Sequence, residues 1–178
     1  HHMGFPGTLS LRRQTLEALC MDYTVSLARH GFRRVCFVPS HGGNFAPLAD
    51  MLDDLRSAVA PDCTVDAYSD LIGFMTFWKN AVSIEAPGLE DRVGGHADIS
   101  ESSEMLCIRP DLVREGLAAR GHVQEFDEEL AEKIFRDGFR TVTPNGILGD
   151  ARGMSTEIGE RCIANAADGI ADALGVSD

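Results

Sequence analysis

The chain has 178 residues, of which 44% are hydrophobic and 25% are charged, and its formal net charge is −12. This length and composition predict one soluble globular domain over residues 1–178. The negative charge argues against nucleic acid as the main partner, because phosphate binding needs a basic face. No apolar run approaches the roughly 20 residues of a membrane span, and the five cysteines form no C-x-x-C pair. We therefore expect no membrane partner and a reducing, cytoplasmic location.

The first part of the chain alternates helical and extended patterns. The predicted elements are a helix over Leu11–His30, a strand over Arg34–Val38, a helix over Phe45–Val59 and a strand over Thr64–Tyr68. The first helix would begin at a cap supplied by Thr8 or Ser10 and end at Gly31. Its buried face would carry Leu16, Leu19, Cys20, Tyr23 and Leu27. Strand, helix and strand within about 35 residues predict a βαβ unit.

The remainder of the chain is less regular. It predicts a helix over Asp70–Ala81, a loop over Ser83–Gly95, a helix over Ser102–Ile108, a loop over Thr141–Arg152 and a terminal helix over Met154–Leu174. The alternation of helices and strands favours a layered α/β fold with a mostly parallel sheet.

The first segment with chemical potential is Ser40-His41-Gly42-Gly43-Asn44, directly after a predicted strand. Ligands bind beyond the carboxyl ends of strands in open parallel sheets. The glycines would let the backbone approach a ligand closely, and the imidazole of His41 suits zinc or manganese. A plain turn capped by Asn44 is the alternative interpretation.

The second segment is Gly94-Gly95-His96-Ala97-Asp98-Ile99-Ser100-Glu101-Ser102-Ser103. His96 can move protons near neutral pH and Glu101 can bind a metal, with Asp98 as a competing ligand. The alternative is a helix start capped by Ser100, Ser102 or Ser103. A third segment, Asn145 to Asp150 followed by Met154 to Gly159, contains no cluster of ligand-type residues and favours a structured turn. The alternative is that it lines a pocket or an interface.

These segments, in this order, resemble the creatininase family. Phe5-Pro6-Gly7-Thr8-Leu9-Ser10-Leu11 resembles its FPGT-x-S-L segment, and residues 40–44 resemble its N-G-H-G-G-N loop. Gly95-His96-Ala97 with Glu101-Ser102-Ser103 resembles its G-H-A-G-E-x-E-T-S segment. Residues 145–150 and Glu157-Ile158-Gly159 resemble its C-terminal motifs. The similarities span nearly the whole chain.

The resemblance implies a three-layer α/β/α sandwich with a mostly parallel sheet. It also implies two divalent metals per subunit in the complete protein, zinc or manganese, and a homo-oligomer, often a hexamer. The implied reaction is metal-dependent hydrolysis of a cyclic or linear C–N amide bond in a small molecule. His41 and Glu101 match metal ligands, and His96 matches the histidine that handles protons. Gly42, Gly43, Asn44, Arg92 and Gly95 are the expected substrate-binding residues.

Three departures from the family pattern matter. Gly43 stands where creatininases proper carry a glutamate, and Arg92 and Val93 stand where they carry Trp and Asp. These differences argue against creatinine itself, and Arg92 points to an anionic substrate. A segment like E-x-H-G-x-H-L-P, which supplies further ligands, is not found, so we expect the chain to be N-terminally incomplete and His1-His2 to be native sequence.

Two alternatives stay open. The same fold and motifs are compatible with a short-peptide hydrolase, because the family includes peptide-cleaving members. A non-catalytic small-molecule-binding protein, or a degenerate relative, is the other.

Overall fold

A computed structural model describes residues 2–123 and 128–176, so His1 lies outside the described residues. The chain divides into two compact units. One unit contains the residues up to Leu9 together with Ile72–Gly169, and the other contains Ser10–Leu71 with the residues from Ile170 on. The single domain over residues 1–178 stays a prediction.

The elements of the chain are six α-helices and four short strands among the described residues, joined by 3-10 turns. The helices are α1 (Arg13–Arg29), α2 (Phe45–Val59), α3 (Leu71–Glu85), α4 (Ile99–Ile108), α5 (Glu128–Asp137) and α6 (Thr156–Leu174). The strands are β1 (Arg34–Phe37), β2 (Thr64–Ala67), β3 (Val93–His96) and β4 (Leu148–Gly149). No helix within residues 2–123 and 128–176 is long and apolar enough to cross a membrane.

The predicted βαβ unit is confirmed in the unit that contains Ser10–Leu71. Strands β1 and β2 pair in parallel, with Val35 opposite Val65, and α2 connects them. Helix α2 buries one face because its apolar residues recur every three or four positions. The core of this unit consists of Cys20, Val35, Leu48, Met51, Leu55, Val59, Cys63 and Val65.

The first helix differs from its prediction in its cap and its buried face. Arg12, not Thr8 or Ser10, occupies the N-cap position, and it makes no side-chain cap hydrogen bond. The buried residues are Cys20 and Thr24, whereas Leu19 and Tyr23 are exposed. The helix ends at Arg29, and Gly31 follows the C-cap residue His30 with a φ of +89°, which suits the predicted stop at this glycine.

The predicted loop over Ser83–Gly95 is wrong in two places. Helix α3 continues to Glu85, because Ala81 and Val82 are fully buried against the core formed with Trp78 and Ile158. Strand β3 follows at Val93–His96 and pairs antiparallel with β4, which lies inside the predicted loop over Thr141–Arg152. A Cβ atom on Gly94 would lie 2.5 Å from the Gly149 amide nitrogen, so the glycine is needed for this close pairing.

Candidate functional site

The turn between β3 and α4 carries the residues of the second predicted segment. His96 ends β3, Asp98 caps α4, and Ala97 lies between them with a φ of +51°. This left-handed conformation is costly for a residue with a Cβ atom. Such strain persists where the surroundings enforce it, and it is common at functional sites. Helix α4 begins at Ile99, three residues earlier than predicted.

Asp98 holds this turn together. Its side chain is fully buried and accepts five hydrogen bonds. Oδ2 accepts from the amides of Gly94 (2.7 Å) and Gly95 (2.8 Å). Oδ1 accepts from the Ser100 amide (2.8 Å), the Ser100 hydroxyl (2.6 Å) and the Glu101 amide (3.1 Å). Asp98 is therefore the helix cap, in place of the predicted serines, and its oxygens are occupied by backbone amides and the Ser100 hydroxyl rather than free to bind a metal.

His96 and Glu101 lie together, as their spacing predicts. The Nδ1 atom of His96 is 3.6 Å from Oε2 of Glu101, and the same oxygen accepts a 2.5 Å hydrogen bond from the Ala97 amide. The two side chains are 35% and 30% exposed, so both reach solvent. The distance is too long for a hydrogen bond, but an imidazole nitrogen and a carboxylate oxygen this close can contact one bound cation.

Aromatic packing orients the His96 ring. The ring centroid lies 4.8 Å from that of Phe139 in an edge-on arrangement and 5.0 Å from that of His2. His2 in turn stacks on Phe139 at 4.4 Å. Phe139 is almost completely buried. Sequence reasoning did not identify Phe139, because nothing in its local pattern links it to a histidine 43 positions earlier.

The environment of Glu101 opposes a negative charge. Burial raises the pKa of the Glu101 carboxyl from 4.5 to about 7, the Ala97 hydrogen bond opposes the rise, and the Asp98 and Glu104 carboxylates add to it. Burial also raises the pKa of Glu104, although the Trp78 indole donates a 2.7 Å hydrogen bond to it. No lysine or arginine in the described part of the chain forms a salt bridge with Glu101 or Glu104. A bound cation would stabilise the ionised form of these acids.

The donors fit zinc or manganese in kind but not in number. An imidazole nitrogen and a carboxylate oxygen are typical ligands of both metals. Across residues 2–123 and 128–176, however, no group of three His, Cys, Asp or Glu side chains lies together to hold an ion. A catalytic zinc site normally has about three protein ligands. His96 and Glu101 alone are therefore too few to make up such a site.

The segment that contains His41 belongs to the other unit. His41 follows β1, and Gly42–Asn44 form a 3-10 turn that leads into α2. Burial lowers the pKa of His41, which favours the neutral imidazole that binds metals. Asn44 makes no side-chain cap hydrogen bond, so the capping alternative is not what the structure has. That His41 and Glu101 point into one cleft stays a prediction.

The other predicted substrate-binding residues have backbone or structural partners. Arg92 donates a 2.6 Å hydrogen bond from Nη1 to the carbonyl of Arg152. Gly95 has a φ of +95°, and its amide binds Asp98. Their contacts to substrate, like those of Gly42 and Gly43, stay predictions.

The third segment forms the structured turn that its composition favours, and its Ile147 and Met154 also line a cavity. The Asn145 side chain accepts hydrogen bonds from the Thr143 hydroxyl and the Ile147 amide, and it donates to the Arg120 carbonyl. Asp150 is buried and pairs with Arg152 through a 2.5 Å contact. These contacts shape the turn that leads into β4 and out of it.

A cavity of about 430 Å³ opens beside Glu101. It is lined by Ala97, Glu101, Ser102, Met105, Leu112, Val113, Arg114, Leu117, Ala118, Ile147, Ala151 and Met154. Sequence analysis missed the part of this wall between residues 110 and 118, which consists of two short 3-10 turns. The apolar Leu112, Val113 and Leu117 close to Pro110 are the signal that could have indicated it.

Comparison with known proteins places this geometry in a family. The family model for creatininase, described as creatinine amidohydrolase, matches residues 1–174. The chain belongs to the creatininase family. The predicted resemblance is thus confirmed.

Two curated relatives show the range of the family. The mycofactocin precursor peptide peptidase of Mycolicibacterium smegmatis is 31% identical over 173 residues, which cover 97% of this chain and 61% of that protein. The creatinine amidohydrolase of Pseudomonas putida is 32% identical over 177 residues, which cover 96% of this chain and 65% of the relative. The chain therefore spans less than two thirds of the length of either creatininase relative.

Solved creatininase structures share the fold. A crystal structure of creatinine amidohydrolase matches with a TM-score of 0.69 and 31% identity over 96% of this chain and 66% of its own. A manganese form of creatininase matches with a TM-score of 0.68 and 28% identity over the same shares. A mutant creatininase of the Zn–Zn type matches with a TM-score of 0.66. The predicted α/β fold class is confirmed.

Proposed function

We propose that this creatininase-family chain is part of a metal-dependent hydrolase that cleaves a C–N amide bond in a small molecule. The observation that carries the proposal is the approach of His96 to Glu101 at the strained turn between β3 and α4. Family membership supports it, because relatives of the chain are named as an amidohydrolase and as peptidases. Solved relatives include a Zn–Zn form and a manganese form of creatininase, which supports a divalent metal.

Each residue has a role in this proposal. Glu101 and His41 would hold the metals, two per subunit, and a homo-oligomer such as a hexamer would be the complete assembly. A bound metal lowers the pKa of a water ligand towards about 7 and polarises the amide carbonyl. His96 would donate a proton to the leaving nitrogen. Because Nδ1 faces Glu101, Nε2 is the ring nitrogen that would meet the substrate.

Burial suits Glu101 to this task. A carboxyl with a pKa near 7 is poorly stabilised as an anion when the chain is metal-free. A cation placed beside it would remove that cost, so metal binding and ionisation of Glu101 would be linked. The Ala97 amide would hold one carboxylate oxygen and leave the other for the metal.

A short-peptide hydrolase is the second candidate. It is favoured by the peptidase names of the Mycolicibacterium smegmatis and Mycobacterium ulcerans relatives, at 31% and 29% identity. Gly43 and Arg92, which replace residues of creatininases proper, are compatible with a substrate other than creatinine. A non-catalytic binding protein is the third reading.

The test is an assay of the complete protein, loaded with zinc or manganese, against creatinine and a panel of short peptides, with products followed by mass spectrometry. Glu101→Gln keeps the shape of the side chain and removes its charge, so metal content and turnover should both fall. Glu160→Gln, an exposed acid on α6, is the matched control and should change neither. Turnover that survives both Glu101→Gln and a chelator would contradict the proposal. Metal binding through Glu101 without turnover of any substrate would favour the binding protein.

A further inference from the structure

The cavity beside Glu101 has a largely apolar wall. Leu112 and Leu117 line it and are 58% and 67% exposed, and Met105 lines it and is 41% exposed. Large apolar side chains that remain exposed around a concavity are typical of ligand pockets. The volume of about 430 Å³ is within the range of about 300–1,000 Å³ that small-molecule pockets have.

Two charged side chains complete the lining. Glu101 brings the candidate catalytic turn to the cavity, and Arg114 brings a guanidinium group. No side-chain hydrogen bond or salt bridge joins Arg114 to another residue of the described chain, unlike Arg109 and Arg152, which pair with neighbouring aspartates. In a chain with a net charge of −12, an unpaired arginine in an apolar cavity is suited to an anion. The planar fork of arginine matches a carboxylate in particular.

We propose that this cavity is the side-chain pocket of the substrate, and that the substrate is an amide of an apolar amino acid with a free carboxylate. The apolar side chain would pack on Met105, Leu112 and Leu117, and the carboxylate would pair with Arg114. The amide bond would then lie towards Glu101. This inference rests on the proposed function and names its substrate class, an N-acyl amino acid or a short peptide ending in an apolar residue.

The same surface is less suited to a second copy of the chain. A second copy packed on this surface would cover Glu101 and Arg114, and each buried charge would then need a partner from that copy. A small ligand that carries its own carboxylate complements Arg114 and leaves Glu101 accessible. The charges of the lining therefore favour a substrate.

Binding can be measured without catalysis. The metal-free chain, labelled with ¹³C at its methionine methyl groups, would be titrated by NMR with three probes. N-acetyl-leucine has the apolar side chain and the carboxylate, N-acetylglycine lacks the side chain, and N-acetyl-leucinamide lacks the charge. The methyl signals of Met105 and Met154, which line the cavity, should shift, while that of Met21, in the other unit, should not.

We expect N-acetyl-leucine to bind at least about tenfold more tightly than N-acetylglycine. It should bind about two- to fivefold more tightly than N-acetyl-leucinamide, as an exposed ion pair would give.

Matched variants assign the binding to the pocket. Leu117→Ser and Arg114→Gln should each weaken the binding of N-acetyl-leucine. In Arg114→Gln, N-acetyl-leucine should also bind no more tightly than N-acetyl-leucinamide. Ile84→Ser is the control for an exposed apolar residue of the same unit, and Arg120→Gln is the control for an arginine outside the lining. Both exposed positions are expected to tolerate substitution, and circular dichroism would verify folding.

The outcomes separate this inference from the proposed function. Equal affinities for the three probes, or no effect of Leu117→Ser and Arg114→Gln, would overturn the pocket even if the loaded chain hydrolyses amides. Side-chain-selective binding without hydrolysis would support the pocket and count against the hydrolase. A Leu117→Ser variant that changes the sedimentation of the chain but not its affinity for N-acetyl-leucine would overturn the pocket and assign the surface to a second copy.

Discussion

Replacement of Asp98 by asparagine should weaken the turn that carries His96. The variant keeps the size of the side chain but turns one acceptor oxygen into an NH2 donor. Oδ2 of Asp98 accepts from the amides of Gly94 and Gly95, and Oδ1 accepts three bonds around the start of α4. Whichever way the amide is oriented, at least two N–H groups lose their acceptor. A buried donor without a partner costs about 1–3 kcal/mol, so the loss should be about 2–6 kcal/mol.

This loss is a large part of the roughly 5–15 kcal/mol that is the total free energy of unfolding of a domain. Urea unfolding followed by far-UV circular dichroism would measure the free energy of unfolding, and hydrogen exchange at the Gly94 and Gly95 amides would measure local opening. Asp111→Asn is the matched control, because Asp111 is exposed and solvent screens its pair with Arg109, so its replacement should leave the free energy of unfolding nearly unchanged. A stability of Asp98→Asn within about 0.5 kcal/mol of the parent, with unchanged exchange at both amides, would refute the role given to Asp98.

Three further predictions follow from the same turn and its surroundings. His96→Ala should lower amide turnover by about 10²–10⁴-fold and leave the metal content unchanged. Steady-state kinetics and elemental analysis would measure the two quantities. Loss of metal with a normal rate per bound metal would show that His96 is a ligand instead. The pKa of Glu101 is raised from 4.5 to about 7 in the folded, metal-free chain, so the folded state holds a proton that the unfolded state has lost. The free energy of unfolding should therefore fall as pH rises from about 4.5 to 7, by at most about 1.4 kcal/mol per pH unit. Urea unfolding of Glu101→Gln should not show this part of the pH dependence. Gly159→Ala should lower the melting temperature, because its Cβ atom would lie 2.2 Å from the carbonyl oxygen of Ser103. Gly116→Ala is the control, because the added Cβ atom has open space there and should leave the melting temperature unchanged. Equal melting temperatures for the two variants would contradict the close packing of α6 on α4.

Local pattern was sufficient for the parts of the fold that depend on it. The β1–α2–β2 unit was predictable because α2 repeats apolar residues at Leu48, Met51 and Leu55, and Val35 and Val65 sit in short apolar strands. The proximity of His96 and Glu101 was predictable for a similar reason. They lie five residues apart across one turn, and a turn followed by a helix brings such positions together.

Features that depend on distant partners were not predictable. Gly94 and Gly95 have the composition of a loop, and they form a strand only because β4 lies alongside. The sequence offered three serines as caps for α4, whereas Asp98 is selected because its other oxygen also accepts from amides of the preceding strand. The cavity escaped prediction because its wall joins residues 97–118 to residues 147–154, which the sequence separates.

The hydrogen bond between Trp78 and Glu104 has a practical consequence. Trp78 is the single tryptophan of the chain, and its indole N–H points at a buried carboxyl one helical turn beyond Glu101. Indole fluorescence responds to the partner of that N–H and to charge nearby. The intrinsic emission of the unlabelled chain therefore comes from a single position on the border of α4. A change of charge at α4 would therefore shift a single tryptophan emission band, with no contribution from a second tryptophan.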